Sequence, residues 1–460
     1  MALTHKKLML RRRPRSAGLA CRWLLLPLAL AGCAGPQPYS IPFMPPPAFL
    51  EAGEVPPFSD PGPMAVPADP RVLYATLREP AAEGSDDRYY STERAPSIRL
   101  GTSRIVLGRK DFTWDMARHM SILKNSTDQY PLQVGELEEF GVLDRTLHPL
   151  IDLNDGGTPD PAPRERFVSA INERLAANRD HDIFIYVHGY KVNFENPILV
   201  AAELWHFLGY EGVFIPFAWP SRTGRLDYFG DTESARYSAR YLREFITFLA
   251  EETTARRIHI LGYSAGTRLV GAALHQLALV NTELSAAEIH AKLRLGNVIL
   301  VGSDIDRGIF SNYLLDGLLK VQERLTIYES PKDKALGMAL LAFGNNRVGQ
   351  LDPSDLSLGA RQFLRTSDVI SLVNIANAPG FDAGNGHSYF RDSPLVSSDV
   401  LSTLRYDLAP AQRGLTQDPE TGVWEFPPDY LDRLEGAIYR ADPELARRAQ
   451  DLAAASGTKR

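Results

Sequence analysis

The stretch Ile258–Arg268, IHILGYSAGTR, decides how the rest of the chain is read. IHIL is a short, continuous apolar run ending at glycine, the pattern of a strand buried on both faces. After Arg268, the residues Leu269, Val270, Ala273, Leu274 and Leu277 recur at the spacing of a helix with one apolar face. Between the two stands Gly262-Tyr263-Ser264-Ala265-Gly266, the pattern G-x-S-x-G. Alone, such a pentad is weak. Between a buried strand and an amphipathic helix it has the setting of a nucleophile elbow, with Ser264 as the candidate nucleophile. A serine held in a tight strand-to-helix turn is presented to a reactant, and the glycines let the backbone pass without Cβ clashes. The following helix points its N-terminal dipole at developing negative charge.

Outward from this turn, strands and helices alternate. VLYATL (Val72–Leu77) and SIRLGTSRIVL (Ser97–Leu107) read as strands beside turn residues. Residues 110–180 are less regular, with one amphipathic stretch at Arg164–Leu175. IFIYV (Ile183–Val187) predicts a buried strand, Glu195–Leu208 a helix with Gly209 as its C-cap, and VFIPFAW (Val213–Trp219) the next strand. Tyr237, Tyr241, Phe245 and Phe248 mark a further helix. NVILV (Asn297–Val301), LTIY (Leu325–Tyr328) and VISLV (Val369–Val373) complete the series. The alternation predicts an α/β fold, a mostly parallel sheet with helices on both faces.

A nucleophilic serine needs donors for an oxyanion and a base with its acid. The Ala265 N–H follows the serine and is one donor by geometry; the second is expected from the loop after an earlier strand. IFIYV runs into His188-Gly189-Tyr190, which resembles the His-Gly motif of many lipases and esterases; the resemblance implies the Tyr190 N–H as the second donor, with His188 a packed residue shaping that loop. After Ser264 the order acid then histidine is expected. Two histidines follow the turn helix. His290 falls in a polar helical stretch, whereas His387 sits in a Gly-Asn-Gly loop after VISLV, placed to swing over the sheet. The preferred acid is Asp333, just past LTIY; the pair Asp304 and Asp306, just past NVILV, is the alternative. Losing aspartates would serve as helix N-caps or loop ligands. Trp219, Arg222, Tyr228 and Phe229 follow VFIPFAW on the rim of the serine, either as pocket lining or as ordinary rim.

The composition excludes other classes. With 44% hydrophobic and 23% charged residues in 460, the chain is globular in balance rather than disordered. A net charge of −6 provides no basic field for nucleic acid. Its two cysteines, Cys21 and Cys33, rule out a disulfide framework and cysteine-based metal sites. No H-E-x-x-H, Walker loop or post-strand G-x-G-x-x-G occurs, so no metal or organic cofactor is expected.

The N-terminus reads as an address. Basic KKLMLRRRPR is followed by WLLLPLAL (Trp23–Leu30), too short to span a bilayer but right for a signal peptide. Leu30-Ala31-Gly32-Cys33 resembles the bacterial lipoprotein signal, which implies cleavage before Cys33 and its lipidation. With Ala34 next, the resemblance implies the outer membrane of a Gram-negative cell, facing the periplasm. Residues 34–70 hold 12 of the 33 prolines and read as an extended tether reaching roughly 100 Å. The expected organisation is therefore a signal peptide at 1–32, lipidated Cys33 and tether at 33–70, the α/β domain at 71–395, and a helical extension at 396–460.

YATLREP near Thr76, FIYVHGYKVNFE (Phe184–Glu195), FAWPSR (Phe217–Arg222), ESARYSA (Glu233–Ala239), ILGYSAGTR (Ile260–Arg268), GSDID (Gly302–Asp306), YESPKDKAL (Tyr328–Leu336) and GHSYF (Gly386–Phe390) occur in that order. Together they resemble a bacterial family of esterase/lipase-like α/β hydrolases of unknown function. The resemblance implies an α/β-hydrolase fold and a serine hydrolase whose triad maps onto Ser264, Asp333 and His387. Many relatives carry His and Met flanking the serine, where this chain has Tyr263 and Ala265. The C-terminal 65 residues match nothing in the resemblance.

The implied reaction is acyl-ester hydrolysis through an acyl-enzyme, with a small acyl ester as substrate. Two rival readings stand beside it. One is a non-catalytic envelope lipoprotein that binds a protein partner on a hydrolase scaffold. The other is an acyltransferase with the same triad.

Overall fold

The computed structural model describes residues 39–51, 70–107, 131–147, 159–222, 224, 228–337, 346–376, 378 and 387–455. The signal segment, Cys33 and the glycine loop before His387 lie outside them. The described strands are β1 (Ser40–Pro42), β2 (Arg71–Pro80), β3 (Tyr90–Leu107), β4 (Pro131–Val142), β5 (Asp182–Val187), β6 (Val213–Ala218), β7 (Arg257–Tyr263), β8 (Leu295–Val301), β9 (Arg324–Glu329), β10 (Ile370–Asn374), β11 (Thr416–Gln417) and β12 (Trp424–Glu425). They form one sheet in the order β1-β4-β3-β2-β6-β5-β7-β8-β9-β10-β12-β11. From β2 to β12 every neighbouring pair is parallel. The two flanks are antiparallel.

Strict alternation along the central strands supplies two cores. In β5, Ile183, Ile185 and Val187 pack with the helices Ala162–Ala177, Tyr228–Glu252 and Gly266–Val280, through residues such as Phe167, Phe245 and Leu269. Phe184 and Tyr186 point to the opposite face, against the helices Glu195–Phe207 and Pro394–Tyr406 through Ile198, Leu204, Val396 and Val400. Both faces are covered, so all six residues of β5 are buried, as the apolar run required. The helix from Glu195 closes at Gly209, at φ 72°, whose N–H donates to His206 O at 2.9 Å.

The strand order fixes where a site can form. From β5 the chain moves outward to β6, then returns past β5 to lay β7 on its other side. At such a reversal the loops leaving neighbouring strands diverge and open a crevice at the carboxyl edge of the sheet. Here those loops follow β5 and β7, and they carry His188-Gly189-Tyr190 and Tyr263-Ser264-Ala265.

Two boundaries and one element differ from expectation. Within the stretch read as a tether, Ser40–Pro42 pairs antiparallel with β4, and Ile41, Met44 and Phe49 are buried. The prolines are interleaved with apolar side chains that have a core to enter. Proline itself is tolerated in an edge strand, where Pro42 is exposed. The expected division at 395/396 is also absent. Helix Pro394–Tyr406 crosses it with most of its residues buried, and β12 extends the sheet beside β10. The expected C-terminal helices occur at Tyr430–Ala441 and Pro443–Ala455. Finally, the irregular region contains β4, whose outer half is polar and part-exposed and so lacked a clear period.

Candidate active site

Ser264 leaves β7 at φ 52°, in the left-handed region that costs a non-glycine residue energy. The turn is held on both sides. The Ser264 N–H donates to Val301 O at 2.9 Å, and the Thr267 hydroxyl donates to Ser264 O at 2.6 Å. Gly266 opens the helix where it passes the loop after β5: a Cβ there would stand 2.3 Å from His188 O and 2.6 Å from Val187 O. Only glycine allows this approach, which brings the two loops of the crevice together.

The Ser264 hydroxyl lies 2.8 Å from His387 Nε2, and His387 Nδ1 lies 2.7 Å from Asp333 Oδ2. A carboxylate only accepts, so Nδ1 carries the proton and Nε2 is left to accept from the serine. Asp333 is itself oriented, its Oδ1 accepting the N–H groups of Ala335 and Leu336 at 3.0 and 3.1 Å. All three side chains are buried, with relative exposures of 3%, 6% and 1% for Ser264, His387 and Asp333. The imidazole is flanked by the Tyr263 ring, with centroids 5.2 Å apart. The Tyr263 hydroxyl in turn meets the Ser388 hydroxyl at 3.1 Å. The arrangement can take a proton from the serine and stabilise the resulting imidazolium.

The alternative acids are elsewhere. Asp304 lies 2.7 Å from Arg268 Nε and 3.4 Å from Arg347 Nε. Asp306 caps the helix Arg307–Leu315, accepting the Ile309 N–H. His290 sits in the helix Ala286–Leu293.

Ala265 stands at the N-cap of helix Gly266–Val280, among the N–H groups that a helix start leaves unpaired. Tyr190 follows β5, next to Lys191 at φ 62°. His188 is fully buried, stacked on Trp219 at 5.3 Å and 11° between planes. Its ring nitrogens face Gly189 O at 2.7 Å and Trp219 O at 3.1 Å. Burial, and next the Arg78 cation, push its pKa well below the ordinary histidine value, while the two carbonyl oxygens facing the ring pull the other way. It shapes the loop, as expected. Trp219 is not a pocket wall: it is fully buried and its indole N–H donates to His188 O at 2.7 Å. Arg222 is half-exposed beside Glu93. The side chains of Tyr228 and Phe229 lie outside the described residues.

Two residues given no role in the sequence reading complete the site. Gly302, at φ 56°, lies under the imidazole, and its N–H donates to the Tyr389 hydroxyl at 2.6 Å. That hydroxyl donates onward to Tyr328 O at 2.9 Å, tying the loop after β8 to β9. GSDID and GHSYF contain Gly302 and Tyr389, but nothing in the letters says that they meet. Among the described residues no group of three or more His, Cys, Asp or Glu is arranged to hold a metal.

A family model described as "Alpha/beta hydrolase of unknown function (DUF900)" matches residues 164–405, more than half of the chain. That span contains Tyr190, Ser264, Asp333 and His387. Among solved structures, Thermogutta terrifontis esterase 2, phosphoramylated by tabun, is similar at 14% identity and a TM-score of 0.28, over 49% of this chain and 81% of its own. A likeness that slight has no bearing on the site. No curated protein matches.

Proposed function

The chain belongs to this family of α/β hydrolases of unknown function, and from that premise we propose that it is a serine hydrolase of carboxylic esters. The observation that carries the reading is the hydrogen-bonded chain Ser264–His387–Asp333 at the carboxyl edge of the sheet. His387 Nε2 takes the Ser264 proton as Oγ bonds to the ester carbonyl carbon. The oxyanion sits between the N–H groups of Ala265 and Tyr190, while Asp333 holds the Nδ1–H tautomer and stabilises imidazolium. Collapse breaks the ester C–O bond, and His387 returns its proton to the leaving alkoxide. Water then attacks the acyl-enzyme, giving its proton to His387, and the carboxylic acid leaves with Ser264 restored.

We also propose, on the N-terminal sequence alone, that the protein is held in the cell envelope. Cleavage before Cys33 and its lipidation anchor the chain to the outer membrane, facing the periplasm. The Leu30–Cys33 tetrapeptide after a short apolar run supports this. A single acyl chain binds only marginally, so firm anchoring needs several on that residue. Cys33→Ser should move the protein from the membrane fraction to the soluble one; an unchanged distribution would remove the lipid anchor from the account.

Labelling the chain from Ala34 onward with a fluorophosphonate, beside Ser264→Ala and His387→Ala, tests the hydrolase reading. Labelling of the parent that both variants abolish is the expected result, followed by turnover of short acyl esters. A folded parent that neither labels nor hydrolyses esters would sink it.

A further inference from the structure

Arg78 is fully buried in β2, with no carboxylate at ion-pair distance among the described residues. Burying a guanidinium without a counter-ion is costly, and hydrogen bonds must offset the cost. Its donors go to four acceptors on three segments: Nε to Trp219 O at 3.1 Å, Nη1 to Ser91 O at 3.4 Å, and Nη2 to Val192 O at 3.0 Å and to the Ser221 hydroxyl at 3.3 Å. Asp87 and Asp231 act on it only at a distance, and burial holds its pKa down at about 10, so it stays charged at neutral pH.

Two of those acceptors bracket the loop that carries Tyr190. Val192 O also accepts the Ser221 hydroxyl at 3.2 Å, which pins the far end of the loop. Trp219 O is shared with His188, and the Trp219 indole holds His188 O, which pins the near end. Gly189, Tyr190 and Lys191 lie between these clamps, so their backbone is set by groups around Arg78. The triad leaves the YATLREP and FAWPSR stretches without a role, whereas this cluster draws on both, through Arg78, Trp219 and Ser221.

We propose that Arg78 is a positioning residue: its guanidinium fixes the loop after β5 so that the Tyr190 N–H faces the oxyanion formed at Ser264. This rests on the serine-hydrolase reading above. Loop position then matters in the transition state, when charge develops on the oxygen, more than in substrate binding.

The test uses the chain from Ala34 onward, with fluorophosphonate titration to count reactive serines and ester turnover expressed per titrated serine. Arg78→Lys keeps the charge but replaces the planar fork with a single ammonium. The expected result is a fall in kcat per titrated serine of about 10- to 100-fold, with KM within about threefold. A boronic acid that fills the oxyanion site should lose affinity in the same proportion. A residue that only stabilised the fold would reduce the fraction of titratable serine and leave turnover per serine untouched; that outcome overturns the inference. Should Arg78→Lys not fold, Ser221→Ala removes one clamp on Val192 O and should lower turnover per serine about fivefold. Parent-like turnover in that variant overturns the inference equally. A parent that neither labels nor turns over overturns the hydrolase reading and this inference with it. An active parent with unaffected variants overturns this inference alone.

Discussion

Gly302 lies against the imidazole of His387: a Cβ built on it would stand 3.0 Å from His387 Cε1 and 3.2 Å from Nδ1. The residue is also at φ 56°, so both its backbone and its missing side chain are used.

Gly302→Ala therefore places a methyl group where the ring sits and strains the backbone by about 1 kcal/mol. The ring must move by a few tenths of an ångström from its hydrogen bonds to Ser264 and Asp333. A loss of roughly tenfold or more in kcat is expected, with a smaller change in KM. Steady-state kinetics of the folded variant decide it, and an unaltered kcat would show that His387 tolerates the displacement.

Glu329 ends β9 fully buried, and among the described residues neither of its carboxyl oxygens has a hydrogen-bond partner. Burial first, and then the negative charge of Asp352, raise its pKa to about 9, against an opposing pull from Arg307. Below pH about 4.5 the folded and unfolded states both hold this proton. Between there and about 9 only the folded state keeps it, so stability falls as pH rises through that window. The cost at pH 7 is on the order of 3 kcal/mol. Glu329→Gln should raise the melting temperature at pH 8 and change it little at pH 5. Equal shifts at the two pH values would contradict the assignment.

Asp399 and Arg413 form a fully buried bidentate pair, with Nε–Oδ1 at 2.7 Å and Nη2–Oδ2 at 3.0 Å. The hydroxyls of Tyr430 and Tyr328 also donate to Asp399. Asp399→Ala strands the guanidinium and should cost about 3–5 kcal/mol in denaturant unfolding. Replacing both partners by apolar residues, Asp399→Leu with Arg413→Met, should recover a large part of that loss. A double variant no better than the single one would place the energy in the tyrosines instead.

The docked segment Tyr39–Phe49 buries Ile41, Met44 and Phe49, and the Met44 N–H donates to buried Glu203 at 3.1 Å. Each such side chain is worth about 1.5–3 kcal/mol when buried. A chain beginning at Pro70 should melt well below one beginning at Ala34. Coincident midpoints would mean that the segment adds nothing to stability.

The central strands and the elbow were legible because burial on two faces imposes continuous apolar runs, and because G-x-S-x-G with flanking strand and helix has one geometry. The turn and the chain order point to Ser264 and His387, whereas chain order leaves Asp333 beside Asp304 and Asp306, and only the contact of Asp333 with His387 Nδ1 separates them. Arg78, Gly302 and Tyr389 could not be named, since their roles come from contacts between segments distant in sequence. The docking of Tyr39–Phe49 is not legible, because its prolines dominate the composition and Ile41, Met44 and Phe49 follow no regular period. β12 is two residues long and has no pattern of its own; it exists through its pairing with β10.

The Asp399–Arg413 pair has a consequence for the order in which the protein is made. Tyr328 O holds the Tyr389 hydroxyl that supports Gly302 under His387, and the Tyr328 hydroxyl is in turn held by Asp399. Asp399 is charge-balanced only by Arg413, and Tyr430 adds a hydrogen bond; both come later in the chain. A chain emerging N-terminus first from the ribosome or a translocation channel exposes Ser264 and Asp333 long before these late residues. Until they emerge, a lone buried carboxylate opposes closure of the sheet edge behind His387. Closure of the sheet edge behind His387 thus depends on residues as late as Tyr430, beyond the histidine itself in the chain.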